Sequence, residues 1–298
     1  MSSRLALLCS CSLAISTIAA CTSGRSNPPP GDLDASFQFD AAGRDSGGPR
    51  PDAGPPRDAG DVSVDVVVWA HSGRTLYAFD PRALSVTAVG DFTLSDGSAA
   101  PNMTDLAVTR DGDVYTCSAV GLYRVDTTNA RTTHIADFDV MVPGQFNGMT
   151  FLPEGVLEPS SETLVAATAS GEYFRIDPVT AAVTTLGRYS DGYGSSGDIV
   201  SVAGAGTFAT VTRGDLGSDL LVEVDPATGN VNPVGSGTGY TRIFGLGYFR
   251  NRLYGFTTVG ELVQIDIATG VGTLVSDTTG ASQFYGAGVT TNAPIAPF

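Results

Sequence analysis

From Val62 to Phe298 the apolar residues come in short runs broken by Gly, Asp and Pro, with no stretch of helical period. Five of these runs are nearly the same line. LYAFDPRALSVTAVG begins at Leu76, LYRVDTTNARTTHIA at Leu122 and YFRIDPVTAAVTTLG at Tyr173. LVEVDPATGNVNPVG begins at Leu221 and LVQIDIATGVGTLVS at Leu262. Each line reads as strand, turn, returning strand. An Asp opens the turn and can bond its own backbone two residues on. Pro presets φ where it follows, and Gly supplies a positive φ at the exit. Each line is therefore a predicted β-hairpin.

Between these hairpins lies a second paired signal. MTDLAVTRDGDVYTCS turns on Asp111-Gly112, and FNGMTFLP with ETLVAATA, GDIVSVAG with GTFATVTR, and IFGLGYFR with NRLYGFTT repeat the scheme. Each unit then holds four antiparallel strands. The turn Asp residues stand at 80, 126, 177, 225 and 266. Units of that length and strand number predict an all-β, five-bladed β-propeller of four-stranded antiparallel blades. The first hairpin has VDVVVWA upstream but lacks a fourth strand, and QFYGAGVTT near residue 289 lacks a partner. We expect Phe284–Val289 to pair with Val64–Ala70 and close the ring, which removes two open sheet edges.

Composition narrows the chemistry. All sixteen basic side chains are Arg, so lysine nucleophiles and Schiff bases are excluded. The net charge is −15, which repels phosphate backbones and makes nucleic acid a poor partner. There is no HExxH, GxSxG or phosphate-binding loop, and no cofactor is expected. His71 and His134 are expected to be unrelated surface residues that share no metal. Cys117, mid-strand, reads as a buried small hydrophobe.

The N-terminal stretch differs in kind. Arg4 precedes an apolar run to about Ala20, which reads as a signal peptide over residues 1–20. It ends Ile18-Ala19-Ala20-Cys21, which resembles the lipobox of bacterial lipoproteins. The resemblance implies cleavage before Cys21, lipid on its thiol, and a location at the bacterial envelope through the membrane. Thr22 after the Cys points to the outer membrane by the sorting rule of enteric bacteria. The rival reading is an ordinary secreted chain cut after Ala20. Residues 21–61, with NPPPG and SGGPRPDAGPPRDAG, contain too few large apolar side chains for a core. They read as a disordered tether before the domain at 62–298.

The hairpin line also resembles the repeats of bacterial surface propellers of the YVTN and quinoprotein-like kind, whose units carry D-P-x-T-G before a returning strand. No Trp follows the T-G here, so a pyrroloquinoline quinone dehydrogenase is not implied. Five-bladed propellers also resemble glycoside hydrolases whose carboxylates face the central channel. Aligning the expected innermost strands TDLAV, NGMTF, GDIVS, FGLGY and YGAGV gives one column: Asp105, Gly148, Asp198, Gly245 and Gly286. Asp105 and Asp198 could act as a catalytic pair, but no Glu and no third carboxylate is in register. Alternatively the column makes tight axial contacts, with Asp capping backbone N–H groups. A calcium-stabilised propeller is a third reading. Tyr189, Tyr193, Tyr240 and Arg242, on Gly-rich connections, are candidates for a binding face. The expected role is non-catalytic: a binding or scaffolding module for an envelope protein or glycan.

Overall fold

The computed structural model describes residues 68–140, 142 and 144–297. The signal peptide, Cys21 and the whole tether lie outside the described residues, as do residues 64–67 of the expected first strand.

Among the described residues, twenty strands fall into five sheets of four. The second blade is β4 (Met103–Val108), β5 (Val114–Ser118), β6 (Gly121–Asp126) and β7 (Arg131–Asp137). The third is β8 (Phe146–Leu152), β9 (Thr163–Thr168), β10 (Glu172–Ile176) and β11 (Val183–Arg188). The fourth is β12 (Gly194–Val202), β13 (Gly206–Thr212), β14 (Leu220–Val224) and β15 (Val231–Val234). The fifth is β16 (Ile243–Phe249), β17 (Arg252–Thr257), β18 (Leu262–Ile265) and β19 (Gly272–Ser276). The first blade is composite. β1 (Val68–His71), β2 (Thr75–Asp80) and β3 (Ser85–Asp91) take β20 (Gly286–Gly288) as their innermost neighbour.

The closure is as expected, with Trp69 opposite Gly288, Ala70 opposite Ala287 and His71 opposite Gly286. The innermost strands touch in the cyclic order β4, β8, β12, β16, β20 and back to β4. All five meander outward from the axis, so the fold is a five-bladed β-propeller.

The burial pattern follows from this geometry. Inner and middle strands are covered by neighbouring blades, so the middle strand β9 and the innermost strand β12 are buried at every residue. Such strands read as continuous apolar or small-residue runs rather than alternating ones. Outermost strands such as β3 and β7 are mostly solvent-facing. The cores lie between blades. Phe79, Tyr254, Phe256 and Phe284, for example, pack edge-on with centroids 5.0–5.5 Å apart, stapling the first blade to the fifth.

The repeated line now has its local cause. In all five hairpins the turn Asp accepts a hydrogen bond from the backbone N–H two residues on, at 2.8–3.0 Å. The Gly that ends the line also has a use. A Cβ on Gly187 would sit 2.0 Å from the Thr228 carbonyl oxygen, where the next blade's turn docks.

Candidate functional site

The five innermost strands run the same way along the axis, so their first residues converge on one face. In four blades the ladder slips there. Thr104, Asn147 and Phe244 are each skipped in the pairing with the neighbouring strand, and Ser196, Gly197 and Asp198 together face one residue. These are β-bulges, which re-aim a side chain and loosen pairing locally. Their effect is to turn Thr104, Asn147 and Phe244 toward the mouth of the axis. Tyr285, just before β20, completes the rim, its ring 6.4 Å from that of Phe244.

Below the rim the axis is plugged. Asp105 and Asp198 do face it, and both are fully buried. Asp198 Oδ1 accepts from Ile199 N at 2.6 Å, and its Oδ2 accepts from Leu246 N at 2.5 Å and Ala287 N at 3.2 Å. One carboxylate thus ties the fourth, fifth and first blades. Asp105 Oδ1 accepts from Leu106 N at 2.8 Å. Its Oδ2 has no hydrogen-bond partner among the described residues. Burial first, then the neighbouring Asp198 charge, pushes the Asp105 carboxyl well above the usual range. Burial also raises Asp198, while the N–H groups of Leu246, Ile199 and Ala287 pull it back. Both carboxyl groups are thus raised, and Asp198, with three N–H donors against one for Asp105, is the better served in its charged form.

The glycines of the column are there because the carboxyl groups and backbone fill the axis. A Cβ on Gly286 would meet Asp105 Oδ1 at 2.1 Å and His71 Nε2 at 2.5 Å. His71 is the clearest departure from expectation. It is not at the surface; it ends β1 fully buried, its Nε2 4.0 Å from Asp105 Oδ1. It was expected at the surface, but β20 and the second blade cover it. Its Nδ1 donates to Ser72 O at 2.7 Å, leaving Nε2 as the bare nitrogen of a neutral ring. Burial lowers its pKa to about 4. His134 is elsewhere, on the outermost strand β7, paired with Asp137 at 3.0 Å. Among the described residues no group of three His, Cys, Asp or Glu is disposed to hold a metal ion. Cys117 is buried on β5 as read, and burial pushes its thiol up to about 11.

Two of the four proposed binding-face residues need correction. Tyr189 and Tyr193 are 1% and 7% exposed and pack with Tyr173, Val211 and Leu220. Their Gly-rich connection folds over the gap between the third and fourth blades, so the rings become core. Arg213 closes over Tyr193 from outside, 4.5 Å from the ring centroid. Tyr240 is half-buried, whereas Arg242 is exposed beside the axial mouth.

What is open is the mouth itself. A depression of about 490 Å³ is bounded by Asn102, Thr104, Gln145, Asn147, Phe244 and Tyr285. A second, of about 340 Å³, lies between the third, fourth and fifth blades and shares Asn147 and Phe244 with it. Ser195, Asp219 and Arg242 line that second depression. Sequence reading passed over Asn147, Phe244 and Tyr285; their place one residue before the Asp/Gly column was the available signal.

No protein-family model and no curated protein sequence matches this chain. Among solved structures, the chain is similar to a protein of unknown function from Bacteroides caccae, at 9% identity and a TM-score of 0.39, over 71% of this chain and 72% of that one. It is similar to the Dos1 propeller at 12% identity and 0.37, over 71% of this chain and 55% of that one, so it spans just over half of that protein. It is also similar to regucalcin, a calcium-binding protein from Agrobacterium tumefaciens, at 16% and 0.39, over 68% and 66%.

Proposed function

We propose that this protein is a lipid-anchored envelope propeller that binds a partner, protein or glycan, at its axial mouth and carries out no reaction there. The observation that supports this is how the two axial carboxyl groups are used. Asp198 accepts three backbone N–H groups, burial pushes the Asp105 carboxyl well above its usual range, and neither reaches solvent. A glycosidase acid and base must both reach a sugar and, in the inverting case, a water. The open surface instead consists of bulge residues with aromatic, amide and hydroxyl side chains, the usual material of recognition.

The full-length protein should be retained on envelope material, sacculi and outer membranes assayed separately, and Phe244→Ala with Tyr285→Ala should reduce that retention about tenfold. Retention unchanged by the double variant would overturn the assignment to this face. The anchor has its own test. Cys21→Ser should lose labelled palmitate and leave the membrane fraction, since two or three acyl chains hold a protein firmly and none does not.

A further inference from the structure

We propose that the axial mouth and the depression beside it form one site for a neutral carbohydrate, an inference that rests on the binding reading above. The two depressions meet at Asn147 and Phe244, and each has a volume within the ~300–1,000 Å³ of small-molecule sites. Together they make a trough of two adjoining depressions, with room for more than one sugar ring.

The polar groups of the trough are specific in what they lack. Asn147 Nδ2 donates to Ser195 O at 3.3 Å, which leaves Asn147 Oδ1 without a donor. Ser195 is 2% exposed, and its Oγ also has no partner. A buried oxygen left without a partner costs about 1–3 kcal/mol, so the site gains when both are met. One hydroxyl can donate to the amide oxygen and accept from the serine. Adjacent sugar hydroxyls present both roles in series. An ionised carboxylate can serve only the serine, because it has no proton for the amide oxygen.

The wall supplies the other half. Phe244 and Tyr285 are half-buried, and their rings are inclined at 52°. The negative faces of such rings attract the positive C–H edges that a pyranose carries on its flat sides. One acidic and one basic side chain in the trough give an acidic ligand no net pull. The chain is at −15, and Asp219 lies in the trough with its carboxyl held by Ile243 N at 2.7 Å. Arg242 is the cation lining this part of the rim. The backbone is also strained where the trough is built. Gln145 has φ 146° and Arg242 φ 56°, each immediately before an innermost strand. Non-glycine residues hold such angles when the surroundings over-determine them, a condition common at ligand sites.

The test titrates full-length protein with cellohexaose, laminarihexaose, chitohexaose and maltohexaose, with hexagalacturonate as the anionic control. At least one neutral hexasaccharide should bind saturably, with the uronate at least ~10-fold weaker. Phe244→Leu should weaken binding about tenfold, and Ser195→Ala several-fold, with melting temperatures within a few degrees of wild type. Asn147→Asp, which keeps the shape, should weaken it too. No saturable binding of any neutral hexasaccharide at about 10 mM overturns the proposal, as does binding that Phe244→Leu leaves unchanged. If sugars fail while envelope retention still depends on Phe244 and Tyr285, the partner is a protein. The carbohydrate inference then falls alone. If retention is also indifferent to those residues, both readings fall.

Discussion

Asp80, Asp126, Asp177, Asp225 and Asp266 fold their turns by the same bond, yet the residue four positions on is not the same. It is Gly229 and Gly270 in two blades, with φ of 77° and 71°. In the other three it is Leu84, Ala130 and Ala181, at φ 53–58°. An L-residue in the left-handed region carries a penalty of roughly 1–2 kcal/mol, so three blades hold a strained turn. Ala130 and Ala181 are fully buried and gain packing in return, while Leu84 is 43% exposed and gains little. Leu84→Gly should therefore raise the melting temperature slightly, by about 0.5–1 kcal/mol of stability after the extra backbone entropy of Gly is counted. Gly229→Ala should do the reverse and cost more, about 2 kcal/mol, because its Cβ would also sit 2.9 Å from Tyr173 Cβ. Thermal melts of the two variants check both signs. These turns were legible in the sequence because their chemistry is local. The buried fate of Tyr189 and Tyr193 was not, because it depends on a neighbouring blade that no local pattern announces.

At the scale of strands, the hairpins and their order could be read directly, and the closing strand could be read from what the first blade lacked. The bulges could not. A bulge leaves no signature of its own in MTDLAV, FNGMTF or RIFGLG; it arises where five strands crowd one axis and side chains must be turned out of the way. The same crowding explains why His71 was misplaced. Its burial exists only once β20 has docked over it. Gly286 is the point where these constraints meet, between Asp105 Oδ1 and His71 Nε2. Gly286→Ala should destabilise the protein by about 3 kcal/mol or more, since neither the carboxyl nor the ring has room to retreat. Denaturant melts should show a lowered midpoint. An unchanged midpoint would mean that the axis is looser than the contacts at Gly286 require.

For the whole molecule, the axial cluster sets how stability depends on pH, and its two parts act with opposite sign. The Asp105 carboxyl is raised well above 3.8, so the native protein keeps a proton that the unfolded chain releases. That contribution is fully present below about pH 4 and is lost as pH rises through the raised native value. His71 is lowered from 6.5 to about 4. Its neutral burial contributes fully above pH 6.5 and is lost as pH falls toward 4. Asp105→Asn should therefore gain on wild type steadily as pH increases from 4. His71→Gln should gain on it as pH decreases from 6.5. Melting temperatures measured across that range separate the two. A constant offset between Asp105→Asn and wild type would sink the account of a retained proton.

The seam in the first blade has a bearing on how the chain is made. Until β20 emerges from the ribosome, β1 has one naked side and Asp198 Oδ2 has Leu246 N but lacks its second donor, Ala287 N. No earlier segment can lock the circle, so synthesis leaves an unfinished, threadable chain almost to the last strand. The ring therefore shuts only after β1 to β19 have all been made.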